Sequence, residues 1–144
     1  MTPLLDIAGL THSGLVRTHN EDAIKIDAEI GLVILADGLG GYKAGEIASG
    51  IAVNFISEQL HQVFLDKSTK CDQIAINQLL IGVIGQANSA IYQMAQSQSQ
   101  YTGMGSTLVV ALFYGDYIAV AHIGDSRLYR LRNKQLVQIL MIVL

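Results

Sequence analysis

The sequence predicts an α+β fold with mostly antiparallel sheets. Three observations carry this: short apolar runs too brief for helices lie near both ends, two long helical stripes sit together between them, and tight-turn residues join neighbouring runs. At 144 residues the chain is long enough for one hydrophobic core and short for two ordinary domains, so residues 1–144 are read as a single domain. Apolar residues make up 51% and charged residues 15%, which excludes a disordered chain.

Residues 4–13 lean apolar and are read as a first strand, followed by the polar loop Arg17-Thr18-His19-Asn20-Glu21-Asp22. Ala23 to Asp27 alternates, and after a turn near Glu29-Ile30-Gly31 the continuous run Leu32-Val33-Ile34-Leu35-Ala36 reads as a strand buried on both faces, ending at Asp37. The glycine-rich turn Gly38-Leu39-Gly40-Gly41 leads into a stripe at Ala44, Ile47, Ala48, Ile51, Ala52, Phe55, Ile56, Val63 and Phe64. A second stripe runs from Ile76 through Leu80, Val83, Ala87 and Ile91 to Ala95, and the two helices are expected to pair antiparallel. Residues 107–114 and 117–123 are β-rich and joined by Gly115-Asp116, a pair suited to the positive φ angles of a tight hairpin. A further strand is expected over residues 127–131, before a turn at Asn133-Lys134.

A net charge of −3, with no basic stripe, argues against a nucleic-acid partner. The single cysteine, Cys71, has no internal disulfide partner and no nearby activating base. No basic start and apolar run of a secretory signal opens the chain, and glycines, acids and amides interrupt every stretch approaching the roughly 18 residues needed to span a bilayer. The expectation is a cytoplasmic protein with no membrane partner.

Asp37 is the most informative residue, because a buried strand delivers its carboxylate to the strand tip and glycines follow at once. Carboxylate oxygen is a hard ligand suited to Mg²⁺ or Mn²⁺, and a following glycine leaves a backbone carbonyl free to turn toward the same ion. An ordinary Asp-Gly turn is the bland alternative. A dinucleotide site fits less well: Lys43 stands where the third glycine belongs, and Asp37 would set a negative charge beside the pyrophosphate. Arg17 with Glu21 and Asp22 forms a second cluster, a phosphate-matching fork beside an acidic pair, although such a cluster alone is usually a solvated loop. Asp125, in Gly124-Asp125-Ser126-Arg127, sits at another strand boundary. His12, His19, His61 and His122 show no metal-ligand spacing, and His122 reads as a core histidine.

Taken together, Gly14-Leu15-Val16-Arg17 with Asn20-Glu21-Asp22-Ala23, Ala36-Asp37-Gly38-Leu39-Gly40-Gly41 with Gly45-Glu46-Ile47-Ala48-Ser49, Gly105-Ser106-Thr107, and Gly124-Asp125-Ser126-Arg127-Leu128-Tyr129 resemble the ordered motifs of bacterial-type PPM (type-2C) metal-dependent protein serine/threonine phosphatases. The resemblance runs nearly the whole chain. It implies a four-layer α-β-β-α sandwich of two antiparallel sheets flanked by helix pairs, with a binuclear Mn²⁺ or Mg²⁺ centre. Asp37 would bridge both ions, Gly38 would offer its carbonyl, Glu21 and Asp22 would support one ion, Arg17 would hold the substrate phosphate, and Asp125 matches the position of a third, weaker metal. Phosphoserine and phosphothreonine proteins are the implied substrates, hydrolysed by water activated between the metals, and a serine/threonine kinase is the implied partner.

Leu39 replaces the histidine that follows Asp-Gly in some relatives. The family domain normally runs on for about another hundred residues, so the chain is expected to be an incomplete domain, weak or inactive alone. Its last residues, Leu140-Met141-Ile142-Val143-Leu144, are apolar where relatives carry Thr-x-Asp, a departure that a frameshift would explain. The non-catalytic alternative is a fragment that binds phosphoproteins or a kinase through Arg17.

Overall fold

A computed structural model describes residues 4–139. Its strands are β1 (Asp22–Asp27), β2 (Leu32–Leu39), β3 (Gly105–Ser106), β4 (Leu108–Tyr114), β5 (Tyr117–Ile123), β6 (Tyr129–Arg132) and β7 (Gln135–Gln138). Two helices, α1 (Ala44–Phe64) and α2 (Gln73–Ser97), stand between β2 and β3. The main sheet has the order β1-β2-β4-β5, with β3 paired to the end of β2, and β6 and β7 form a separate two-stranded sheet. Every strand pair among the described residues is antiparallel.

The helices cover one face of the main sheet. Leu32, Ile34 and Ala36 of β2 and Leu108, Val110 and Leu112 of β4 point into them and are buried. They meet Ala52, Ile56 and Leu60 of α1 and Ile76, Leu80 and Val83 of α2 in one core. A smaller cluster joins Ala44 and Ala48, at the start of α1, to Ala95 near the end of α2, so the pair runs antiparallel. The Asp72 side chain caps α2 by accepting from the Ala75 N–H at 2.7 Å.

The other face carries Val33, Leu35, Val109, Ala111, Phe113, Ile118 and Val120, matched in register across β2, β4 and β5. Strand β6, Leu128 and Ile139 line a cavity of about 710 Å³ against Ala111, Phe113, Ile118 and Val120 of this face. The α+β expectation therefore holds, with one helix layer on the main sheet and a second, smaller sheet over its far side.

Several boundaries differ from the sequence reading. Residues 4–13 form no strand, because the segment makes no ladder; it runs beside β1, where a Cβ on Gly9 would meet the Ile26 side chain at 3.0 Å. β2 is not buried on both faces, since Leu35 is 37% exposed; the doubly buried strand is β4. β2 also continues past Asp37 to Leu39, where Gly38 and Leu39 pair with Ser106 and Gly105. The Gly115 turn has positive φ at the glycine, and both Asn133 and Lys134 adopt it in the β6–β7 turn, as their tight geometry requires. The strand expected at 127–131 begins at Tyr129. The apolar run 140–144 lies outside the described residues.

One further correction concerns α2, which is long and apolar enough by length and composition to cross a membrane. Its Ile76, Leu80, Val83 and Ala87 are packed in the core, while most of the helix surface is not, and Ile74, Ile81 and Tyr92 stand exposed. Truncating the centre of that core tests the packing: Ile56→Ala should cost about 2–5 kcal/mol in urea unfolding, against less than about 0.5 kcal/mol for Ile81→Ala on the exposed side of α2.

Candidate active site

Alternation along β2 turns Leu32, Ile34 and Ala36 toward the helices and therefore turns Asp37 the other way. Its register partner across β1 is Asp22, so two carboxylates stand side by side at one end of the hairpin. Like charges directly opposite destabilise a ladder. Asp125, from the bend after β5, adds a third negative charge, and Arg17, from the loop before β1, brings a positive one. The Asp37 carboxyl is accordingly pushed above its ordinary range, first by loss of water, then by the Asp22 charge, by a side-chain hydrogen bond with Asp22, and by Asp125; Arg17 pulls the other way.

A backbone frame holds these repelling groups in place. The Asp37 N–H donates to Thr107 Oγ1 at 3.0 Å, and the Thr107 N–H donates to the Asp37 carbonyl at 2.9 Å. Thr107 Oγ1 also shares a 2.7 Å hydrogen bond with Ser126 Oγ, tying the tip of β2 to the residue beside Asp125. Gly124 precedes them at φ +87°, where a Cβ would press on the Thr107 side chain at 3.0 Å. The Asp22 N–H donates to Asn20 Oδ1 at 3.0 Å, which orders the loop entering β1.

Gly38 has a packing reason as strong as any metal-binding one. A Cβ there would collide with the Gly45 carbonyl, because the first turn of α1 is pressed against the strand end. Its N–H donates to the Glu21 carbonyl at 3.0 Å, and Ser49 Oγ donates to the same oxygen at 2.6 Å. The Glu21 carboxylate reaches toward α1, within 2.7 Å of where a Gly45 Cβ would stand. The structure thus brings Arg17, Asp22, Asp37 and Asp125 into one electrostatic group and sets the Glu21 side chain at the helix start.

The donor set suits a hard divalent cation. Asp22, Asp37 and Asp125 are oxygen donors whose mutual repulsion a cation would relieve, and that repulsion adds to loss of water in raising Asp37. The dinucleotide alternative loses its premise, since β1 and β4 both flank β2 antiparallel and no parallel βαβ unit leads into α1. Thr107, Ser126, Ser49 and Gly45 were not assigned roles from sequence. Their signal was their place inside the Gly-Ser-Thr, Gly-Asp-Ser and Gly-Glu-Ile-Ala-Ser segments.

A family model described as protein phosphatase 2C matches residues 12–142. The chain belongs to the protein phosphatase 2C family. It is 36% identical over 139 residues to the serine/threonine protein phosphatase PstP of Mycobacterium tuberculosis, covering 96% of this chain and 25% of PstP. It is 34% identical over 132 residues to the serine/threonine phosphatase Stp of Listeria monocytogenes, covering 90% of this chain and 51% of Stp. The crystal structure of the PstP catalytic domain with two manganese ions superposes at a TM-score of 0.76 and 37% identity, over 91% of this chain and 53% of that one. The chain thus spans about half of the protein phosphatase 2C domain it superposes on and a quarter of full-length PstP.

The raised Asp37 carboxyl has a signed consequence. An acid whose pKa is higher when folded binds more protons in the native state, so stability is lost as pH rises through the interval above its ordinary value of 3.8. In metal-free buffer, Asp37→Asn should gain stability relative to wild type as pH climbs through that interval, and match it more closely at the acid end. Urea midpoints measured with a chelator at successive pH values would show the widening gap; a constant gap would contradict it.

Proposed function

We propose that residues 1–144 supply part of the catalytic site of a Mn²⁺- or Mg²⁺-dependent protein serine/threonine phosphatase. The observation that supports this most directly is the pairing of Asp22 with Asp37 across β1 and β2, with Asp125 and Arg17 near enough to act on the Asp37 charge. Bound Mn²⁺ or Mg²⁺ would supply Lewis acidity toward phosphoryl oxygen and make water nucleophilic near neutral pH.

The chain's own residues would do the rest. Asp37, held through its backbone by Thr107, would present a carboxylate to the metals from a fixed strand tip. Asp22, Glu21, the Gly38 carbonyl and Asp125 would fill out the oxygen donors around it. Arg17, exposed in its loop, would take a pair of phosphate oxygens through its guanidinium fork. Leu39, next to Gly38 and 55% exposed, offers no proton to a leaving alkoxide, so another group must serve.

Four acidic side chains are few for two hard ions that each want about six oxygens. Turnover by these residues alone is therefore proposed to be slow. Phosphoserine and phosphothreonine proteins are the proposed substrates, with a cytoplasmic serine/threonine kinase as the enzyme that produces them.

Hydrolysis of an aryl phosphate and of a phosphothreonine peptide, with and without Mn²⁺, tests the reading. Asp37→Asn should reduce Mn²⁺-dependent turnover by about 100-fold, and Arg17→Ala should raise KM about tenfold, as expected for a lost charge-assisted hydrogen bond. Turnover indifferent to both the chelator and Asp37→Asn would overturn it. Phosphopeptide binding that persists in chelator without any turnover would favour a binding module instead.

A further inference from the structure

Away from this site, three potential ligands meet at the other end of the β1–β2 hairpin. Asp27 ends β1, Glu29 lies in the turn that follows, and His61 lies in the last turn of α1. One ligand atom from each falls within 4.8 Å of the others. Asp22 and Asp27 bracket β1, so at about 3.3 Å per residue this cluster lies roughly 16 Å along the strand from the carboxylates around Asp37.

We propose that Asp27, Glu29 and His61 form a second cation site, selective for a borderline transition ion of the Zn²⁺ class over Mg²⁺ or Mn²⁺. One imidazole with two carboxylates is a donor set that zinc accepts and that hard ions fill poorly, since imidazole suits Zn²⁺ and all-oxygen sets suit Mg²⁺ and Mn²⁺. The ligands are held on regular structure. Asp27 Oδ2 is 2.6 Å from His61 Nδ1, and Asp27 Oδ1 accepts the Glu29 N–H at 3.2 Å, so strand end, turn and helix are already gathered.

Asp27 is largely sheltered, at 17% side-chain exposure, while His61 at 37% leaves a route in. A cavity of about 280 Å³ beside Asp27 and His61 is also lined by Lys25 and by Glu58, one helical turn before His61, leaving room for water or a fourth oxygen. Lys67 Nζ donates to the Glu29 backbone carbonyl at 3.0 Å and so leaves the carboxylates free for a cation. Filling the site would fasten the end of α1 to the hairpin, at a distance from the proposed catalytic carboxylates.

The test is calorimetric titration of the chain with Zn²⁺ in excess Mg²⁺, supported by the visible absorption of Co²⁺ in a protein site. One equivalent of Zn²⁺ should bind to wild type and to Asp37→Asn alike, and raise the melting temperature of both. Glu29→Gln, at an exposed turn residue where substitutions cost little stability, should weaken binding at least about tenfold, as should His61→Gln. If His61→Gln fails to fold, Glu29→Gln decides. Absence of binding, affinity unchanged in Glu29→Gln, or loss of the site in Asp37→Asn would each overturn the proposal, and none of these readouts depends on phosphatase activity.

Discussion

The site depends on carboxylates being held together against their own repulsion. Asp22 and Asp37 face each other across an antiparallel pair, and Asp125 approaches from the bend after β5, so the charges are set by the backbone more than by mutual attraction. A fold tolerates that arrangement only if backbone bonds and packing over-determine it. The raised Asp37 carboxyl reflects loss of water first and this crowding second, and a cation is the chemical species that would relieve both.

The over-determination is visible around the strand tip. Thr107 makes reciprocal hydrogen bonds with the Asp37 backbone and reaches Ser126, so β2, the residue before β4 and the bend carrying Asp125 are tied together. On the opposite side the first turn of α1 presses so closely that Gly38 and Gly45 admit no Cβ. Ser49, one turn further along α1, and Gly38 both donate to the Glu21 carbonyl, fixing the loop that carries Arg17 and Asp22 to the same helix. Behind this frame lies a continuous apolar core, in which Ile34, Ile56, Leu60, Ile76, Val110 and Leu112 are buried. Core and site are thus connected through alternate residues of one strand.

How much of this could be read from sequence follows from which forces are local. The stripe Ala44 to Phe64 marks α1 accurately, because a 3.6-residue period is written into adjacent turns. The Asn133-Lys134 and Gly115-Asp116 turns are likewise local, since backbone conformation alone demands them. By contrast, the end of β2 was misplaced because its last two residues pair with Gly105 and Ser106, far along the chain, and no local pattern announces that ladder. Residues 4–13 show the converse: an apolar-leaning run is necessary for a strand and does not supply a partner. At the site, Asp37, Asp22, Arg17 and Asp125 were legible as residue types at strand boundaries, whereas the Thr107–Ser126 link and the Glu21 contact with α1 arise only in three dimensions. His61 lacked metal-ligand spacing for the same reason, its neighbours Asp27 and Glu29 being brought to it by the packing of α1 on the hairpin.

The most direct measurement of the central claim is a carboxyl-carbon NMR titration of Asp37 in the metal-free chain, repeated with Asp22→Asn and with Asp125→Asn. Crowding by those two neighbours predicts that Asp37 titrates above its ordinary 3.8 and moves back toward that value in each variant. An Asp37 that titrates at the ordinary value, unmoved by either substitution, would show that the carboxylates do not form one electrostatic site.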